Sequence, residues 1–336
     1  MRRYASAALA FTLAALSLTA AAGQSPPHFG VIAKWKVGGD GGWDYLTADP
    51  VGHRLYISRG THVMVVSTDT GAVVGDIPDT AGVHGIAIDA HLHKGFTSNG
   101  RDASVTVFDT HTLKTLGKIT VGQGPDGILY DPGLDRVITM NGQGRNITVI
   151  DPNSQSVVGS VALDGRPEAA VSDGKTLFVN IEDKSEIQHV DVKGLRSLGT
   201  WSIAPGEGPS GLAIDARRHL LFATCDAKFV VVDSSTGKVM GTPKLGDGPD
   251  AADFDPKLGI AFGSCGDGTL TLLTRGSNGK YDVSTSVPTA PGARTMALDT
   301  RTHRVYLSSA EYQPGSTGRR RPMVPGSFTI VVVGPR

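Results

Sequence analysis

Gly124-Pro125-Asp126-Gly127-Ile128-Leu129-Tyr130-Asp131 is a small residue, a proline, an acid and a short apolar run closed by aspartate. The same plan recurs at Gly42-Trp43-Asp44 to Asp49, Gly82-Val83-His84 to Asp89 and Arg166-Pro167-Glu168 to Asp173. It recurs again at Gly208-Pro209-Ser210 to Asp215, Gly248-Pro249-Asp250 to Asp255 and Gly292-Ala293-Arg294 to Asp299. The closing aspartates stand 40, 42, 42, 42, 40 and 44 residues apart. Seven copies at that period are the spacing of propeller blades.

Each copy divides into four short strands, a to d. In the third, a runs Gly127 to Asp131, b Arg136 to Asn141, c Asn146 to Asp151 and d Val157 to Val161. Asp131-Pro132-Gly133, Asn141-Gly142 and Asp151-Pro152-Asn153 supply the turns between them. No stretch keeps a helical period over three turns. The last copy ends at strand c, Phe328 to Val333, and lacks its own d. The chain start has a matching strand: Val31 to Val37, followed by Gly38, aligns with Thr115 to Gly122. Counting it brings the total to 28 strands and closes the ring. The expectation is an all-β, seven-bladed β-propeller with four antiparallel strands per blade. Closure leaves only short, protected edges.

Composition agrees. Against an average glycine share near 7%, 44 glycines in 336 residues are close to double. The first 22 residues read as a cleaved signal peptide. Arg2 and Arg3 are its basic start, Ala5 to Leu18 its apolar stretch and Ala20-Ala21-Ala22 its cleavage site. Residues 23–336 then form one domain, periplasmic or secreted, with no membrane insertion after cleavage. Removing two arginines leaves 30 basic against 32 acidic residues. That balance supplies no field for nucleic acid, so a nucleic-acid partner is not expected. The chain is expected to be a monomer.

The copies resemble the YncE-like, YVTN-repeat bacterial propellers along the whole mature chain. The residues that carry the resemblance are Leu55-Tyr56-Ile57-Ser58, Val230-Val231-Val232-Asp233 with Thr236-Gly237-Lys238-Val239, Ala293 to Asp299, and Arg321 to Phe328. The resemblance implies the seven-bladed fold and export. It implies no single reaction, because such propellers serve as binding modules, as platforms and as domains of enzymes.

The repeat separates scaffold from candidate site. His53, His93, His219 and His303 each stand four residues after the strand-a aspartate, as does Asp135, and read as turn residues. His91 and His93 share a face at strand spacing, but their short turn brings no third metal ligand. One position varies in kind: the residue opening strand a, which in a propeller rings the mouth of the central channel. It reads Asp44, His84, Asp126, Glu168, Ser210, Asp250 and Arg294. Small residues follow in most blades and allow close packing about the axis. Such convergence suits a ligand-binding funnel. Asp44, His84, Asp126, Glu168 and Asp250 are also the donors a divalent cation would need. Four carboxyls without a cation would raise one another's pKa.

Trp43 and Arg59 are expected on the same rim as further ligand-binding residues. Glu311 to Gly326, with Tyr312 and Arg319-Arg320-Arg321, is an insert in the last blade long enough to be functional or disordered. Cys225 and Cys265 occupy equivalent places in neighbouring blades. Such points stand ~10 Å apart where a disulfide needs ~7 Å. Loop movement would permit a bond, and two thiols would also suit a soft metal.

Two functions remain open. The first is a non-catalytic propeller binding a small molecule or a protein partner at its top-face funnel. The second is a metal-assisted lactonase- or lyase-type enzyme. There a cation polarises a carbonyl, His84 moves the proton at its ordinary pKa near neutrality and Arg294 holds an anionic oxygen.

Overall fold

The computed structural model describes residues 27–39, 41–314 and 322–336. The signal segment and Arg319 to Arg321 lie outside these. The described residues form 28 strands in seven four-stranded antiparallel sheets. In six sheets the order is a, b, c, d along the chain. The seventh takes Met296–Asp299, Arg304–Ser309 and Thr329–Pro335 from the end of the chain and Phe29–Lys36 from its start. Phe29 pairs with Pro335 and Lys36 with Thr329. The third blade runs Pro125–Asp131, Arg136–Asn141, Asn146–Asp151 and Ser156–Ala162, within two residues of the sequence reading.

The core is seven wedges. Each apolar cluster straddles two neighbouring blades, and the seven clusters occupy the seven junctions. Phe262 and Leu272 of blade six meet Met296 and Val331 of blade seven. Leu55 and Ile57 of blade one meet Tyr306 and Ile330 of blade seven. The N-terminal strand belongs to both of these wedges. Phe29 packs edge-on to Phe262 at 5.4 Å, and Trp35 lies 5.6 Å from Tyr306.

The turn column behaves as its residue types require. His53, His93, Asp135, His219 and His303 all sit at φ between 51° and 60°, and Gly259 fills the place in blade six at 67°. Among non-glycine residues, His, Asp and Asn tolerate this left-handed region best. The aspartate before each turn accepts backbone N–H bonds. Asp131 Oδ1, for example, receives Gly133 and Leu134 at 2.7 and 3.0 Å.

Every outer strand carries one β-bulge. The extra residue is Ile32, Val74, Leu116, Val158, Leu198, Met240 or Ser284, and the six apolar ones are exposed. A bulge interrupts the ladder of an open edge, which protects it against pairing with another sheet.

Closure predicts that removing residues 27–36 lowers the melting temperature by about 10 °C or more, and that the same segment added as a peptide restores part of it. Unchanged melting of the truncated protein would show that the ring does not depend on this strand.

Candidate functional site

Strand b positions the ring. Its ninth residue after the strand-a aspartate reaches the backbone at the opening of strand a in its own blade or the next. Ser58 Oγ accepts the Asp44 N–H at 2.9 Å. Ser98 Oγ accepts the Gly85 N–H at 2.9 Å and donates to the Asp126 carbonyl. Ser264 Oγ donates to the Arg294 carbonyl. In blade four, where the a–b turn is shorter, Asn180 Nδ2 takes this part and donates to the carbonyls of Ser210 and Gly211 at 3.1 and 3.0 Å. Blade three has Met140 instead, and its side chain lines a cavity below the ring.

The ring side chains pair unevenly. His84 Nδ1 stands 2.7 Å from Asp44 Oδ2 and 3.4 Å from Asp126 Oδ1. Arg294 Nε stands 3.1 Å from Asp250 Oδ2. Ser210 Oγ is engaged with Thr224 Oγ1 at 3.1 Å and the Pro249 carbonyl at 3.2 Å. Glu168 makes no hydrogen bond or ion pair among the described residues. The neighbouring Arg166 pairs instead with Glu182 on the b–c turn of the same blade.

These environments set the protonation states. The hydrogen bond to Asp44, with Asp126 and Glu168 adding and burial opposing, holds the His84 imidazolium up to about 9. Burial first, then Asp126, Glu182 and Asp250, push Glu168 up to about 8. Burial, with Asp44 and Asp126 adding and Arg294 opposing, pushes Asp250 up to about 7. Asp126 is raised chiefly by burial, and His84 opposes the shift. Mutual repulsion of the carboxyls is present as the sequence suggested, but desolvation is the larger cause. His84 is a cation at neutral pH and not a group poised to exchange a proton there.

A divalent ion would find three donors. Atoms of Asp44, His84 and Asp126 lie within 4.8 Å of one another, the one such cluster among the described residues. Glu168 and Asp250 stand outside it. A metal needs a neutral imidazole, so it would have to displace a proton that His84 retains to about pH 9. His93 lies against His111, with ring centroids 4.3 Å apart and planes tilted by 38°. Cys225 and Cys265 are free and buried, and burial pushes their thiols up to about 12 and 11.

Arg59 is not on the rim. It is 1% exposed, and its guanidinium donates to the carbonyls of Gly38, Gly39, Gly41 and Gly42 at 3.0 to 3.3 Å. Its Cζ lies 3.9 Å over the Phe328 ring. The glycine-rich run bares its carbonyls, and the planar fork of arginine gathers them. Arg59 therefore fastens the segment leading into blade one. Trp43 is half-buried, 5.1 Å from Phe328 and 6.4 Å from Tyr312. The base of the blade-seven insert is tied by the Val324 N–H to the Glu311 carbonyl at 2.8 Å.

Below the ring, a cavity of about 160 Å³ follows the axis. Gly85, Gly127, Ala169 and Gly211, each directly after its ring residue, bring the strands close around it. A methyl group on Gly127 would meet the Glu168 carbonyl at 2.8 Å and Met140 Cε at 2.9 Å. Tyr45, the large exception in this column, extends its hydroxyl to the Asp250 carbonyl at 3.1 Å. Asp253 had no place in the sequence reading. It stands in the column Thr47, Ala87, Leu129, Val171, Ala213 and Ala297, and burial pushes it up to about 6. The break in that column was its signal.

No protein-family profile matches the chain, and no curated protein matches it. Among solved structures, hydrazine synthase of Kuenenia stuttgartiensis is similar at a TM-score of 0.71 and 19% identity, covering 81% of this chain and 94% of that one. The WD40 repeats of RRP9 are similar at 0.74 and 10%, covering 92% and 99%. U3-55K is similar at 0.74 and 10%, covering 91% and 99%. At these identities the likeness establishes the propeller fold alone.

The ring has a pH signature. His84, Glu168 and Asp250 have folded values of about 9, 8 and 7 against ordinary values of 6.5, 4.5 and 3.8. Between pH 6.5 and 8.5 the folded chain thus holds more protons at these groups than the unfolded chain, and stability falls as pH rises. Melting temperature across this window should decline in the wild type and more gently in Glu168→Gln. A profile that is flat, or identical in both proteins, contradicts the ring electrostatics.

Proposed function

We propose that this chain is an exported, YncE-like binding propeller that holds a small molecule, or a segment of a partner protein, in its top-face funnel without catalysis. The observation that carries this is a ring of repeat-breaking polar side chains, two of which, Asp126 and Glu168, line one axial cavity. The scaffold repeats seven times, yet the residue opening strand a is acid, imidazole, hydroxyl or guanidinium according to the blade. A purely structural ring would have no reason to differ at that one position while the turn and strand-b columns stay similar in kind. Arg2, Arg3 and the Ala5 to Ala22 segment support export.

The metal-assisted lactonase- or lyase-type reading rests on the Asp44, His84 and Asp126 cluster. Those three would hold the cation, which would supply Lewis acidity towards a carbonyl. Arg294 would neutralise an oxyanion only after leaving Asp250.

The test is native mass spectrometry of the mature protein after exposure to a fractionated extract of exported metabolites and peptides. The wild type is compared with an Asp126→Asn, Glu168→Gln double variant and with His93→Ala, which alters a turn away from the ring. A species kept by wild type and His93→Ala but lost from the double variant is the expected result. Retention indifferent to the double variant, or no retained species, overturns the reading. Retention abolished by a chelator and restored by a divalent metal moves the site to the enzymatic alternative.

A further inference from the structure

Beneath the ring, the axial cavity has a composition that selects among ligands. Its upper wall carries two carboxyl side chains, Asp126 and Glu168, and its described lining includes no Lys, Arg or His. Leu46, Ile86, Ile128 and Met140 supply apolar surface below. The two cations of the ring are already paired, His84 with Asp44 at 2.7 Å and with Asp126 at 3.4 Å, and Arg294 with Asp250. Glu168 alone among the ring carboxyls has neither a hydrogen-bond nor an ion-pair partner among the described residues.

An anion entering here would meet Glu168, which pairs with no cation among the described residues, and Asp126, whose cation His84 is shared with Asp44. A neutral apolar ligand would leave Glu168 without a partner among the described residues and still further from water, which is costly for such a group. An ionised group with an apolar body satisfies both halves of the lining. At about 160 Å³, the cavity has the space of roughly five water molecules. That admits a short unbranched stem and excludes a fused ring system.

We propose that the cavity takes an organic cation on a short apolar stem, with its ammonium or guanidinium at Glu168 and Asp126 and its stem among Leu46, Ile86, Ile128 and Met140. This rests on the funnel reading above and names its ligand chemistry. The headgroup gains charge-assisted hydrogen bonds in a site poor in water. The same chemistry is carried by a free alkylamine and by a lysine or arginine side chain.

The probes are n-butylammonium, n-butanol and butyrate, which share a stem and differ in charge. They are titrated into the mature protein labelled with ¹³C at the methionine methyls, and Met140 reports occupancy from inside the cavity. We expect n-butylammonium to shift the Met140 methyl, n-butanol to do so more weakly and butyrate not at all. Glu168→Gln should weaken n-butylammonium by about tenfold or more and narrow its advantage over n-butanol. Asp126→Asn provides a second variant should the first melt early. A Met140 methyl that does not respond to n-butylammonium overturns the proposal. So does equal binding of the cation and the alcohol, or indifference to both substitutions.

A pentapeptide bearing one lysine, compared with its norleucine counterpart, identifies the source. Tighter binding of the lysine peptide than of the free amine assigns a partner's side chain, and the reverse assigns a small molecule. If no probe reaches Met140 while the ring double variant still loses its retained species, the cation chemistry is wrong and the funnel reading stands. If neither responds, both fall.

Discussion

A four-stranded sheet with one bulged outer edge cannot bury enough apolar surface to stand alone, so each blade depends on its two neighbours. The seven junction clusters show how completely this dependence is met. Apolar side chains from adjacent sheets interleave at every junction, including the one between the last blade and the first. Phe29–Lys36 crosses to the C-terminal sheet, pairs along Thr329–Pro335 and packs into the wedges on both sides of it. Without it, the last blade would lack its outer strand and both wedges would lose side chains, Phe29 from one and Trp35 from the other. The axial ring, the cavity and the alignment of the strand-b hydroxyls all presuppose closure.

Closure also imposes the small residues at the axis. Seven inner strands converge, and a side chain on Gly127 would strike the next blade. The scaffold therefore has little freedom at that level and more one residue earlier, where side chains tip into the mouth. Variation is concentrated there, and the ring becomes a place where chemistry can change without disturbing the wedges. The same crowding strips water from the ring carboxyls. Desolvation, more than mutual repulsion, lifts Glu168 and Asp250 towards neutrality. The Asp44 contact instead fixes a proton on His84. The funnel thus combines ion-paired carboxyls with one, Glu168, that has no counterpart among the described residues.

The architecture was legible in the residues because a propeller is periodic, and period survives in one dimension. Aspartates at 40 to 44 residue intervals, histidines four residues beyond them and the kinship of Val31 to Gly38 with Thr115 to Gly122 each report local backbone geometry. Local geometry is what adjacent residues encode. The left-handed φ values at His53, His93, Asp135, His219 and His303 follow from the same locality. Column comparison also located the ring, and it could have located Asp253, the acid in a column of Thr, Ala, Leu and Val.

What the chain could not disclose by order alone is how side chains from different blades meet. Arg59 reads as a free rim cation until the fold lays the Gly38 to Gly42 carbonyls around it and Phe328 beneath it. His84 reads as a group titrating near neutrality until Asp44, forty residues earlier, comes within 2.7 Å of its ring. Pairing and burial depend on distance in space, which the repeat does not record. The sequence by itself determined the seven sheets, their turns, the closing strand and the identity of the ring. Only the tertiary structure decided which ring members neutralise one another, which one stays unpaired and how much water reaches them, because electrostatic energy depends on separation and local dielectric.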